Sequence, residues 1–224
     1  EGPMAEAALT STGHSLAPAD GWRIVDVKGV KVGLIGAVLH DLASVTVASS
    51  IRGLDIRDEA DSINAVLPAM RAQGAQVFVV LIHEGGFADQ PYDKADCDTL
   101  HGPIVAITQK LDPAIRLVIS GHSHTGYLCK VDGKIVTQAD AYGHLLSRIK
   151  LTLNPATRAV QDVEVRNVVM APDVFKPDAG LSAYLADVRA KSRAELAKPV
   201  ARVQGALSRK ENPAGESVLG DVIA

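Results

Sequence analysis

No run in these 224 residues approaches the roughly eighteen uninterrupted apolar positions of a membrane-spanning helix. The opening stretch, EGPMAEAALTSTGHS, lacks a basic start followed by an apolar core, so no export signal is written there. Basic residues do not dominate: 23 Lys and Arg stand against 26 Asp and Glu, with no dense run, which argues against a nucleic-acid duplex as partner. Any phosphate-bearing ligand must then be held locally. A Gly-rich phosphate loop is missing, and no Ser-His-Asp set can be assembled from spacing alone. Cysteine is scarce. Cys97 and Cys129 suit a reduced pair or a single disulfide equally, and counting leaves both open.

What is present is apolar content: 47% hydrophobic residues over 224 positions is enough for one large domain, or one plus a smaller piece, with a real core. The sequence opens on Glu1 and closes on LGDVIA in the course of a helix, which predicts a portion of a longer chain.

From Trp22 the text reads WRIVDVKGVKVGLI, two β-rich runs broken at Lys28-Gly29, a hairpin signal. DEADSINAVLPAMRAQG predicts an amphipathic helix with Asp58 as N-cap, apolar residues at 63, 66, 67 and 70, and Gly74 as its stop; Pro68 inside it predicts a kink. QVFVVLIHEGG is a buried strand ending in His83, and HGPIVAITQKLDP a helix entered through Pro103. RLVISGHSHTGY is a second buried strand, stopped by Gly121 and followed by His122 and His124. Strand, helix, strand is the grammar of a parallel sheet, and it predicts His83 and His122 on one rim.

Beyond that rim, YLCKVDGKIVTQ turns at Asp132-Gly133 and SRIKLTLNPATRAVQDVEV turns near Asn154-Pro155, which predicts a second, antiparallel sheet region. PDAGLSAYLADVRAKSRAELAKP reads as a connecting helix. VARVQGALSRKENPAGESVLGDVIA then has a strand, a turn and a new helix start of its own, so a boundary falls near Lys198.

Imidazole is the commonest transition-metal ligand in proteins, and two of them at i and i+2 past a strand can serve one metal or two neighbours. His83 supplies a third nitrogen on the same predicted rim. Glu84 and Asp140 read as solvated or supporting acids. His14, His40, His101 and His144 read as surface or capping residues, and Ser208-Arg209-Lys210 as solvated surface.

VVLIHEGG, then VISGHSHTGY, GKIVTQADAYGHLLSRIKLTL and finally NPAGESVLGDVIA resemble, in that order, the bacterial 5′-nucleotidase family, which includes UDP-sugar hydrolases and 2′,3′-cyclic-nucleotide phosphodiesterases. Gly-His-x-His is shared with calcineurin-like metallophosphoesterases generally. The resemblance implies an α/β fold, part of a four-layer α/β/β/α metallophosphoesterase sandwich, with the start of a second α/β nucleotide-binding domain. Residues 1–177 would be the latter half of the catalytic domain, 178–198 the connecting helix and 199–224 the threshold of the next domain. It further implies two divalent metal ions, zinc, manganese or similar, with His83 and His122 on one and His124 on the other. The implied reaction is hydrolysis of a nucleotide or nucleotide-sugar phosphate ester. The family's Asp-x-His, bridging Asp and Asn-His-Glu segments have no counterpart here and are expected before Glu1, so no catalytic residue is expected in this chain and the chain alone is expected to be inactive. A non-catalytic metal-binding or scaffold protein with part of the fold is the competing reading. Finally, Cys97 lies before the helix leading to the 117–119 strand and Cys129 just past the loop leaving it, which predicts a disulfide and hence a periplasmic or secreted protein.

Overall fold

The computed structural model describes residues 9–11, 14–15, 21–95 and 97–223. Its strands are β1 (Leu9–Ser11), β2 (His14–Ser15), β3 (Trp22–Val27), β4 (Val30–Val38), β5 (Leu54–Ile56), β6 (Val77–His83), β7 (Ile115–Ile119), β8 (Gly126–Val131), β9 (Lys134–Ala139), β10 (Leu145–Leu153) and β11 (Val160–Val169). Its helices are α1 (Leu42–Val45), α2 (Glu59–Ala72), α3 (Pro103–Lys110), α4 (Ala179–Leu196) and α5 (Val218–Ile223). The chain divides into two units, Glu1–Val174 and Phe175–Ala224.

The first unit is organised by a six-stranded sheet in the order β3-β4-β6-β7-β9-β8. β4, β6, β7 and β9 run parallel, while β3 and β8 are antiparallel edges. The β3–β4 turn places Lys28 and Gly29 at φ 53° and 80°, the left-handed pair that a two-residue hairpin requires. Asp58 caps α2 by accepting the Asp61 N–H at 3.0 Å, and that bond holds its carboxyl below the usual range. α2 runs unbroken through Pro68 and carries Met70 into the core one half-turn later, so the proline does not end it.

Pleating explains why β6 reads as a continuous apolar run. Phe78, Val80 and Ile82 join the cluster containing Ile63, Leu67 and Met70 of α2 and Ile104 and Ile107 of α3. Val77 and Val79 point the other way, toward Val165 of β11 and Ile149 and Leu151 of β10. Helices therefore cover one face and a β10–β11 ribbon the other. Along β10 half-buried and exposed residues alternate, with Arg148, Lys150 and Thr152 turned outward. The result is a mixed α/β sandwich.

Two expectations need correction, and one small sheet lies outside them. The β8–β9 hairpin, with Asp132 and Gly133 at φ 47° and 74°, belongs to the first sheet; the antiparallel second sheet over β8 to β11 reduces to β10–β11. A hairpin signal specifies which strands pair with each other but not which of the two docks on a neighbour, and here β9 inserts beside β7. Backbone of β1, β2 and β5 forms a small antiparallel sheet where the sequence carries no strand pattern. In the second unit, residues 199–217 contain no strand, because an apolar run without a ladder partner has nowhere to place its backbone hydrogen bonds. That unit consists of α4, capped by Asp178 through the Leu181 N–H at 2.8 Å, a turn in which Asn212 Oδ1 accepts the Ala214 and Glu216 N–H groups, and α5.

Candidate metal rim

Because β4, β6, β7 and β9 are parallel, their carboxyl ends form one rim. His83 is the last residue of β6. His122 follows β7 by three residues, and its Nδ1 stands 3.4 Å from His83 Nε2, with the rings edge to face and their centroids 5.2 Å apart. Strand order thus brings together two side chains 39 positions apart. His124 does not join them. Its ring packs edge-on to Tyr142 at 5.4 Å, although it lies close enough for its charge to be felt at His83.

Backbone conformation marks the same place. His122 and His124 take φ of 67° and 52°, and Asp140 and Tyr142, in the loop leaving β9, take 56° and 55°. Left-handed backbone is unfavourable for residues with a Cβ and persists only where surroundings over-determine it. Four such residues border one rim.

The electrostatics favour a neutral His83 imidazole. Partial burial, and then the neighbouring His122, hold the His83 imidazole below its usual range, with Glu84 opposing. Glu84 is buried rather than solvated, and its carboxylate accepts the Gly85 N–H at 2.7 Å. Beneath the end of β7, the buried Tyr127 hydroxyl is 2.6 Å from Ser120 Oγ, and burial pushes that phenol up to about 12. It therefore remains a neutral hydrogen-bonding group.

Of the acids and histidines set aside in the sequence, Asp140 and His144 do reach the rim, joined by a 3.3 Å contact between Asp140 Oδ2 and His144 Nδ1. The signal that finds them is the rule that found His83: β9 is a parallel strand and they follow its end. His101 is exposed and bonded to the backbone of Phe87, while His40 is exposed with its N–H bound to the Glu59 carboxylate. His14 lies in β2, and its side chain falls outside the described residues. Ser208, Arg209 and Lys210 are exposed.

Two nitrogens at zinc-like bond lengths of about 2.1 Å in a tetrahedral sphere lie about 3.4 Å apart. The His83–His122 separation matches one edge of such a sphere. Among the described residues no cluster of three or more His, Cys, Asp or Glu completes it. The pair therefore fits part of one metal's shell, and this chain's described residues do not by themselves complete a two-metal set.

The Cys97–Cys129 disulfide ties the loop between β6 and α3 to β8. Among the described residues no helix is long and apolar enough to cross a membrane.

No protein-family model matches the chain. It is 24% identical over 220 residues to the endonuclease YhcR of Bacillus subtilis, covering 98% of this chain and 17% of that protein. In structure it resembles a 5′-nucleotidase precursor from Thermus thermophilus, with a TM-score of 0.68, 16% identity, and coverage of 92% of this chain and 41% of the other. It likewise resembles the calcineurin-like phosphoesterase YfkN from Bacillus subtilis, with a TM-score of 0.68, 21% identity, and coverage of 88% and 64%. The chain thus spans less than two thirds of each. The α/β sandwich is the fold of calcineurin-like phosphoesterase and 5′-nucleotidase domains.

Proposed function

We propose that this chain, which has the fold of the calcineurin-like phosphoesterases, is part of a metal-dependent hydrolase of nucleotide or nucleotide-sugar phosphate esters. The carrying observation is the 3.4 Å approach of His83 Nε2 and His122 Nδ1 at the carboxyl rim of the parallel sheet. Residues 1–177 belong to its catalytic domain, 178–198 connect, and 199–224 begin a nucleotide-binding domain. His83 and His122 hold one divalent ion, and His124, turned away toward Tyr142, serves a second.

When bound, divalent ions at such a site supply Lewis acidity toward phosphoryl oxygens and lower the pKa of water. The chain's own contribution is the preparation of that site. His83 is kept neutral, so its lone pair is free at neutral pH. Strained turns aim His122 and His124 outward from the strand end, and the buried Glu84 fixes the loop that leaves His83 through its bond to the Gly85 N–H. The remaining ligands and the group that protonates or orients the leaving oxygen come from outside these 224 residues, so the chain by itself does not turn over. The buried disulfide supports a periplasmic or secreted location.

The test compares metal per chain and phosphate release from a nucleoside 5′-monophosphate, a UDP-sugar and a 2′,3′-cyclic nucleotide, for this chain and for the protein that contains it. His122→Ala is expected to lower metal content and turnover together by about 10-fold or more, while His101→Ala leaves both intact. Full activity in His122→Ala, or turnover by this chain equal to that of the containing protein, refutes the reading. Metal bound without hydrolysis by the containing protein supports a scaffold instead.

A further inference from the structure

Ser123 stands between the two left-handed histidines of the rim. Its backbone N–H donates to the Gly121 carbonyl at 2.8 Å, which closes the turn around His122. Its side chain leaves that turn altogether: Oγ donates to the Gly86 carbonyl at 2.7 Å, in the loop that follows His83. One hydroxyl thus joins the two loops that carry the paired imidazoles. The only other direct tie between them among the described backbone hydrogen bonds is the Gly121 N–H to the Glu84 carbonyl, at 3.2 Å.

The packing around this hydroxyl is tight and polar. A Cβ at Gly85 would collide with the Gly121 carbonyl oxygen, and would stand 2.6 Å from Ser123 Oγ and 2.8 Å from Gln138 Oε1. Gln138 lies beneath, 1% exposed, with its side-chain carbonyl 3.2 Å from Ser123 Oγ and its Nε2 without a partner among the described residues. A hydroxyl carries one proton, and here Gly86 takes it at the shorter distance. Oxygen and nitrogen of a side-chain amide are interchangeable by a half-turn. Turned so, Gln138 Nε2–H donates to the Ser123 lone pair, and an orphaned buried donor becomes the first link of a chain from Gln138 through Ser123 to Gly86.

We propose that Ser123 is a positioning residue that sets the separation of His83 and His122, and that Gln138 orients its hydroxyl. The proposal rests on reading those histidines as metal ligands, but its geometric content does not. Without the Ser123 bond, the strained φ at His122 relaxes and the two imidazoles part.

The experiment uses the metal-free chain and its Ser123→Ala, Gln138→Leu and doubly substituted forms. Cross-relaxation between the His83 and His122 ring protons reports their contact, and titration with Zn²⁺ alone reports affinity. Ser123→Ala is expected to lose the ring cross peak and about 10-fold in Zn²⁺ affinity, the scale on which groups supporting a ligand act. Because one chain is cut at either point, adding Gln138→Leu to Ser123→Ala should cost less than about twofold more. An intact cross peak and affinity in Ser123→Ala overturn the proposal, as do losses that multiply in the double form. A parent chain that binds no Zn²⁺ refutes the metal reading instead, and the cross peak still decides whether Ser123 sets the geometry.

Discussion

Reduction of the Cys97–Cys129 disulfide should destabilise the first unit by about 4 kcal/mol. The two cysteines are 32 positions apart, and closing a loop of that length removes about 12 cal/mol/K from the unfolded chain. At 25 °C this is about 4 kcal/mol. Both cysteines are essentially buried, at 2% and 0% exposure, and cleaving the bond deletes no atoms from the core, so most of the loss comes from the freer unfolded state. For a unit of this size each kcal/mol moves the midpoint by about 2–4 °C, which predicts a fall of about 8–16 °C. Thermal melts with and without reductant measure it, and the Cys97→Ala, Cys129→Ala double substitution should not respond to reductant. A reduced protein melting within about 2 °C of the oxidised one would refute the reasoning. Such a result would mean that the unfolded chain already keeps this loop closed.

Gly85→Ala forces a methyl group against the Gly121 carbonyl, Ser123 and Gln138, and should cost about 1–3 kcal/mol in denaturant melts; an unchanged midpoint would show that the rim loops are not in close contact. Asn167 donates through Nδ2 to the carbonyls of Tyr92 at 2.8 Å and Tyr127 at 3.1 Å, and its Oδ1 accepts the Ser147 hydroxyl at 2.6 Å. Asn167→Leu strands those buried groups and should cost about 2–4 kcal/mol by the same assay, with a loss below about 0.5 kcal/mol arguing against the network. His83 titrates below 6.5 in the folded state, so between about pH 7 and pH 5 the unfolded chain binds more protons and metal-free stability should fall with falling pH. His83→Asn should flatten that slope, and an identical slope in both proteins would exclude His83 as its source.

The elements that the sequence makes legible are those whose signals are local. The Asp58 cap, the Gly74 stop and the Lys28-Gly29 and Asp132-Gly133 turns each depend on a few neighbouring residues. The apolar runs of β6 and β7 are legible because both faces of their sheet are covered. That is enough to place His83 and His122 on one rim. β9 is harder. Lys134, Thr137 and Gln138 are buried at 3%, 0% and 1% exposure, so a central strand carries the polar residues of an edge. Its docking beside β7 is a tertiary fact, and with it goes the position of Asp140 and His144. His124 shows a different limit: spacing at i and i+2 cannot reveal that a positive φ on both residues turns the second ring toward Tyr142.

The strand order β7-β9-β8 also constrains when this edge is completed during synthesis. β8 leaves the ribosome before β9, yet among the described strands of its sheet it pairs only with β9, so residues 126–131 join the sheet only after residues 134–139 have followed them out. Cys129 sits on that strand, with Cys97 bridged alongside it. In the folded chain the disulfide fastens this late-completed edge to the loop between β6 and α3.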